Sequence, residues 1–220
     1  MRSGLDLTLW LVRHGRTSVN NLNETLGQTP TEPLDDYGKE QAKLLGARLR
    51  KEVVFDAVYV SSMLRAHSTF EIAKPNMQGT LSTGVDALVE INQGDVLGCK
   101  RTDVFKSAED FDRYKRNGMG FCFPNGESQY DVQHRAVSFI KREILDNTHT
   151  RTDKHLNIAL FSHGMTLKTI LQYVLDCDPH MTGRIILDNT SISKVSLRRG
   201  DWFLVSVNDV AHLHNTEFKP

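Results

Sequence analysis

Two short passages of this chain rhyme. Arg13-His14-Gly15-Arg16-Thr17 follows an apolar run at residues 7–12, and Ser162-His163-Gly164-Met165-Thr166 follows a second at 156–161. Histidine titrates near neutrality, so it can serve as nucleophile, acid or base under ordinary conditions. A glycine after each one lets backbone approach a ligand closely or take a positive φ. A third passage, Ser61-Ser62-Met63-Leu64-Arg65-Ala66, follows residues 55–60 and supplies Arg65 as a companion to Arg13. Planar guanidinium forks match phosphate oxygens two at a time. Two histidines and two arginines gathered at one edge would therefore make a site for a dianion.

That gathering depends on the elements beneath. Runs 7–12 and 156–161 are short and nearly continuous in apolar residues, as expected of strands covered on both faces in a parallel sheet, with 55–60 as a third. In such a sheet ligands bind outside the carboxyl ends of the strands, where loops and helix N-termini converge. Between the strands the period changes. Asp35 or Asp36 can cap a helix with Ala42, Leu45 and Leu49 on its buried face; Ser128 can cap one carrying Val132, Ala136, Phe139 and Ile140; Leu167, Ile170, Leu171 and Val174 mark another. Residues 191–197 and 202–207, separated by Arg-Arg-Gly-Asp, form a hairpin pattern. Alternation of strands and helices means α/β, and with no repeat and no Pro- or Gly-rich linker, residues 1–220 are expected to form one domain. The segment 98–126 breaks the pattern. Its Phe105, Phe111, Tyr114, Phe121 and Phe123 stand among charges of both signs, and the expectation is an inserted helical excursion over one edge of the core.

Composition narrows the field. The 220 residues hold 27 basic and 27 acidic side chains, a formal net charge of zero, so no long-range positive field gathers nucleic acid or acidic membrane. Cys99, Cys122 and Cys177 fit neither a disulfide framework nor a paired-cysteine zinc site, which points to a reducing cytoplasm. Residues 5–12 are interrupted by Asp6 and run straight into Arg13, unlike a secretory signal. No run approaches the ~18 apolar residues of a membrane span.

The chain resembles the histidine phosphatase superfamily, in its phosphoglycerate mutase-like branch, over nearly its whole length. The resemblance rests on Arg13-His14-Gly15 with Thr17 and Asn20, on Gly27 followed by Pro33-Leu34, Gly38 and Gln41-Ala42, and on Ser61-Ser62 with Arg65-Ala66 and Thr69. Glu90 with Gly94 and Gly98, Gly126-Glu127-Ser128, Ser162-His163-Gly164, Asn189, and Asn208 with His212-Leu213 complete it. It implies a three-layer α/β sandwich with a mostly parallel central sheet flanked by helices, the 98–126 insertion forming a helical cap. It also implies a metal-independent phosphatase for a small phosphorylated metabolite, with no cofactor. In that scheme His14 attacks phosphorus as a neutral imidazole held at low pKa by Arg13 and Arg65. Arg13, Asn20, Arg65, His163 and Gly164 hold the phosphoryl group. Glu90 is general acid and then base, with Asp86 or Asp95 as substitutes; Gly27 and Gln28 belong to the pocket wall or to a simple turn.

Some residues depart from the family pattern. Gly94-Asp95-Val96-Leu97-Gly98 lacks the aromatic and acidic members common after the glutamate, and Arg16 stands where mutases carry glutamate. The Arg-rich extension of glycolytic mutases is not recognisable after Gly98. Hydrolysis is thus expected ahead of the alternatives, a phosphoglycerate mutase or a non-catalytic phospho-ligand or protein-binding module. Lys100, Arg101, Lys106, Arg113, Lys115 and Arg116 could reach a second anionic group, but interleaved acids make a solvated face the plainer expectation. The aromatics either receive a ring-bearing leaving group or anchor the cap. Monomer and homodimer both stay open.

Overall fold

The computed structural model describes residues 5–21, 29–105, 107, 109, 118–146, 154–214, 216 and 217. Six strands form one sheet: β1 (Leu7–Arg13), β2 (Phe55–Ser61), β3 (Met77–Val85), β4 (Leu156–Ser162), β5 (Ile192–Arg198) and β6 (Asp201–Asp209), in the order β3-β2-β4-β1-β5-β6. β1 pairs parallel with β4, and β2 parallel with β4 and β3; β5 and β6 run antiparallel at the other side. The main helices are α1 (Asp36–Glu52), α2 (Leu64–Ala73), α3 (Gln129–Ile140) and α4 (Gly164–Val174).

Period two in the central strands makes the three layers. Leu7, Leu9 and Leu11 of β1, with Leu156, Ile158 and Leu160 of β4, enter a cluster with Ala136, Phe139 and Ile140 of α3 and Leu167, Ile170 and Leu171 of α4. Trp10 and Val12, with Ala159 and Phe161, face the opposite way onto Leu45 and Leu49 of α1 and Phe70 and Ala73 of α2. Leu7, Leu9 and Leu11 are at most 1% exposed, and each stabilises the fold by about 2 kcal/mol on area bookkeeping. Covered on both faces, β1 and β4 leave only their ends open to a ligand.

Local signals explain the helices. Asp35, not Asp36, is the cap of α1 and accepts the Gly38 N–H at 2.6 Å. Ser128 and Asp131 form the reciprocal capping box of α3. The β5–β6 hairpin turns through Arg199 and Gly200, both at positive φ, as a two-residue loop of right-handed twist requires.

Two elements escape the sequence patterns. β3 is an edge strand with mostly exposed residues, so Gln78, Thr80, Ser82 and Thr83 never had to alternate with apolar partners. α2 follows β2 after only two residues and lacks a side-chain cap. The excursion is rooted where its two ends meet: Asp95 N–H donates to Pro124 O and Glu127 N–H to Asn92 O. Among the described residues it holds a helical turn, Arg101–Val104, and a 3-10 turn, Gly118–Gly120. Phe111, Tyr114, Lys106, Arg113, Lys115 and Arg116 lie outside the described residues, as do Gly27 and Gln28.

Candidate active site

The register of β1 on β4 sets Arg13 opposite Ser162, so His14 and His163 leave the sheet side by side. Their ring centroids are 5.2 Å apart. Both are essentially buried, His14 at 2% and His163 at 0% exposure. Backbone bonds fix the His14 position: its N–H donates to Ser162 O, and the following Gly15 N–H donates to Thr69 Oγ1. Gly15 must be glycine because a Cβ there would lie 2.7 Å from Gly38 O, where the loop abuts the start of α1. Neither Gly15 nor Gly164 adopts positive φ, and of the two only Gly15 is required by close approach.

Hydrogen bonds assign the histidine protons. His14 Nδ1 lies 2.7 Å from Gly15 O; a carbonyl only accepts, so Nδ1 carries the hydrogen and Nε2 keeps a lone pair. Arg65 Nε–H points at that lone pair from 3.2 Å. Burial, then Arg65 and Arg13, push the His14 pKa well below 6.5, with the Gly15 bond pulling weakly upward. His14 is thus a neutral imidazole with a nucleophilic Nε2. His163 Nε2 contacts Ser61 Oγ at 2.8 Å, and Ser61 Oγ also accepts Met63 N–H. The Nδ1–H tautomer of His163 is the one that accepts the serine hydroxyl at Nε2 and turns a donor away from it. Burial, then Arg65, also hold His163 neutral.

Both arginines are sunk into the protein. Arg65, on the first turn of α2, is 1% exposed and bonds Thr29 O at 3.0 Å. Arg13 donates through NH1 to Leu187 O. Desolvation lowers both guanidinium pKa values, and Glu90 opposes that shift in each. Glu90 Oε1 accepts from Ile91 N and Oε2 from Met165 N near the start of α4, at 2.9 and 3.2 Å. The Gly164 backbone passes beside both Glu90 and Arg13: a Cβ there would meet Glu90 Oε2 at 3.7 Å and Arg13 Nε at 3.6 Å, in ordinary contact. Asp86 and Asp95 are exposed and bonded to Ser62 and Asn125 instead.

Asn20 Oδ1 accepts from Thr17 N and Oγ1, at 3.0 and 3.2 Å, and faces Asn189 Nδ2. Arg16 is turned to structural use, bonded to Asp35 at 2.8 Å with its guanidinium 3.9 Å over the Tyr37 ring. Sequence reasoning gave no role to Arg135, whose guanidinium spans Glu127, Ala87 O and Glu90 O and so fixes the backbone of the candidate acid. Two cavities flank Glu90. One of about 300 Å³ is lined by Pro30, Ser62, Met63, Asp86, Val89, Glu127 and Arg135. A narrower one lies among Ile91, Gln93, Phe121, Phe123, Gln129 and Met165. Among the described residues no group of three or more His, Cys, Asp or Glu side chains is arranged to hold a metal ion.

The arrangement is that of an α/β protein with two buried histidines paired at the carboxyl ends of parallel strands and two buried arginines beside them. The family model of the histidine phosphatase superfamily (branch 1) matches residues 9–210, and the chain belongs to that superfamily. It is 29% identical to a broad-specificity phosphatase of Saccharomyces cerevisiae over 217 residues, covering 96% of this chain and 90% of the yeast protein. A Yersinia enterocolitica protein named as a probable phosphoglycerate mutase is 29% identical over 213 residues, covering 94% and 95%. The solved alpha-ribazole phosphatase of Shigella flexneri superposes with a TM-score of 0.76 at 25% identity, covering 92% of this chain and 96% of that one. No helix among the described residues is long and apolar enough to cross a membrane.

Proposed function

We propose that the protein is a phosphomonoesterase that hydrolyses a small phosphorylated metabolite through a phosphohistidine on His14. One observation carries this reading: beside the His14 Nε2 lone pair, Arg13 Nε and His163 Nδ1 are buried polar atoms with no hydrogen-bond partner. Leaving such groups unpaired is costly, and phosphoryl oxygens satisfy both. Arg13, Arg65, His163 and the Asn20 amide hold the three non-bridging oxygens, with Gly164 giving them room.

His14 Nε2 attacks phosphorus as the bond to the ester oxygen breaks, and protonated Glu90 gives its proton to that leaving oxygen. Glu90, now a carboxylate, takes a proton from water as the water oxygen attacks phosphorus and the P–N bond breaks. The buried guanidiniums stabilise charge on the equatorial oxygens throughout, in a site where water no longer screens them. No step calls for a metal or a cofactor. The free cysteines, Cys99, Cys122 and Cys177, suit a cytoplasmic setting.

The yeast and Shigella relatives are named phosphatases, which supports hydrolysis; the Yersinia relative favours mutase activity as a second reading. Phosphate release from a panel of metabolite esters and phenyl phosphate, with EDTA present, tests the choice. EDTA-insensitive release and acid-labile label trapped on His14 are expected. Turnover that needs a bisphosphoglycerate primer and releases no phosphate would establish the mutase.

A further inference from the structure

Behind the nucleophile, Thr190 has φ of 59°, in the left-handed region. A β-branched side chain is strained there and persists only where surrounding contacts over-determine it. Thr190 is wholly buried. Its N–H donates to His14 O at 3.1 Å, and Asn189 Nδ2 donates to the same oxygen at 3.1 Å. Its hydroxyl donates to Asn189 O at 2.7 Å, which leaves Oγ1 to accept from His212 Nε2–H at 3.0 Å. The imidazole of His212 is half-buried and held neutral, since burial and then Arg48 push its pKa down to about 4. His212 thus bears on the one hydroxyl that keeps Thr190 in its unfavourable conformation.

The consequence runs to the His14 ring. The peptide between His14 and Gly15 is held from both sides, its carbonyl by Asn189 and Thr190 and its N–H by Thr69. The His14 Nδ1–H bond reaches Gly15 O in the following peptide, whose N–H donates to Gln41 Oε1 at 3.1 Å, so the grip on the His14–Gly15 peptide acts on the ring by fixing the backbone from which it springs. We propose that His212 and Thr190 form a positioning clamp: His212 locks the strained Thr190 backbone, and Thr190 fixes the His14 peptide so that Nε2 points at phosphorus. The clamp rests on the reading of His14 as nucleophile, and neither residue touches substrate.

Glycine enters the left-handed region freely and keeps the N–H, which supplies a decisive double variant. His212→Ala is expected to lower kcat on phenyl phosphate by about 10- to 100-fold with KM little changed, the scale of a misaligned reacting group. His212→Ala combined with Thr190→Gly is expected to recover most of that loss, and His212→Gln, which still offers an N–H, to stay near wild type. Thr190→Val, keeping the branch but not the hydroxyl, should behave like His212→Ala. The 15N resonances of His14 give a readout independent of turnover, shifting in His212→Ala and returning in the double variant. An unchanged kcat in folded His212→Ala, or a double variant as impaired as the single one, would overturn the clamp. Where His212→Ala fails to fold, Thr190→Val and the double variant carry the same comparison. A wild-type protein that turns over no ester defeats the phosphatase reading, while unmoved His14 resonances across the variants defeat the clamp separately.

Discussion

The cradle at the ends of β1 and β4 and the excursion from Asn92 to Glu127 are built in opposite ways. In the cradle, His14, Arg65 and His163 are at most 2% exposed, and backbone carbonyls or buried hydroxyls fix each one. The excursion is pinned at its root by Asn92, Asp95, Asn125 and Glu127, and its Cys99, Cys122 and Phe123 are exposed or half-exposed. On the proposed reading, chemistry common to every phosphate ester belongs to the tightly bonded part. Whatever distinguishes one ester from another falls to the part with fewer constraints, as is usual for loops carried on a scaffold.

Substitutions can break that division. The largest effect is expected from His14→Ala, which removes the attacking atom and should lower phosphate release by at least about 10⁴-fold for all esters alike. Retained activity would remove His14 from the mechanism. Arg65→Ala, losing one oxyanion donor, is expected to cost about 10²- to 10³-fold in kcat, again regardless of leaving group. An effect confined to KM of one ester would instead assign Arg65 to recognition.

Acid titration probes the cradle from another direction. His14 and His163 lie well below 6.5 in the folded protein, and His212 near 4. The unfolded chain takes up protons as pH falls through about 6.5, while the folded chain refuses them. Stability from these groups is therefore full above that pH and is lost as pH drops toward the folded values. For His212 alone the span is worth about 3 kcal/mol. Urea midpoints at pH 7, 6 and 5 should fall in that order, and His212→Asn should flatten the slope; a level profile contradicts the buried neutral histidines. The smallest effect belongs to the excursion. Phe123→Ala, which removes a ring 5.0 Å from Phe121, should change KM by about 3- to 10-fold for esters with bulky leaving groups and reorder the panel. A uniform loss of kcat would make the excursion part of the chemical machinery.

Residue patterns carried the chemistry of the cradle well and its supports poorly. His14, His163 and Arg13 stand directly at the ends of strands whose unbroken apolar runs announce burial on both faces, so their convergence could be inferred. Arg65 stands just past a third such run, at 55–60, and Glu90 followed from the family resemblance. Thr29 O, Leu187 O and the Thr190 backbone could not be inferred, because a main-chain carbonyl or a φ angle leaves no mark in residue type. Arg135 reads as one more charged residue on a helix until its three acceptors are seen. β3 was illegible for a related reason: an exposed edge strand has no apolar alternation to display. Asp35 and Asp36 were equivalent candidates, and only the carboxylate that reaches the Gly38 N–H settles which one caps α1.

β1 lies between β4 and β5 in the sheet, and this gives the active site a schedule during synthesis. Residues 7–14 are synthesised before residues 189–191, yet Arg13 N–H bonds Ser191 O and the His14 carbonyl is gripped by Asn189 and Thr190. The nascent N-terminal segment must therefore wait, unpaired and rich in apolar side chains, until β4 and β5 have both left the exit tunnel. A polypeptide stopped short of residue 189 would carry every proposed catalytic side chain but no grip on the His14 carbonyl.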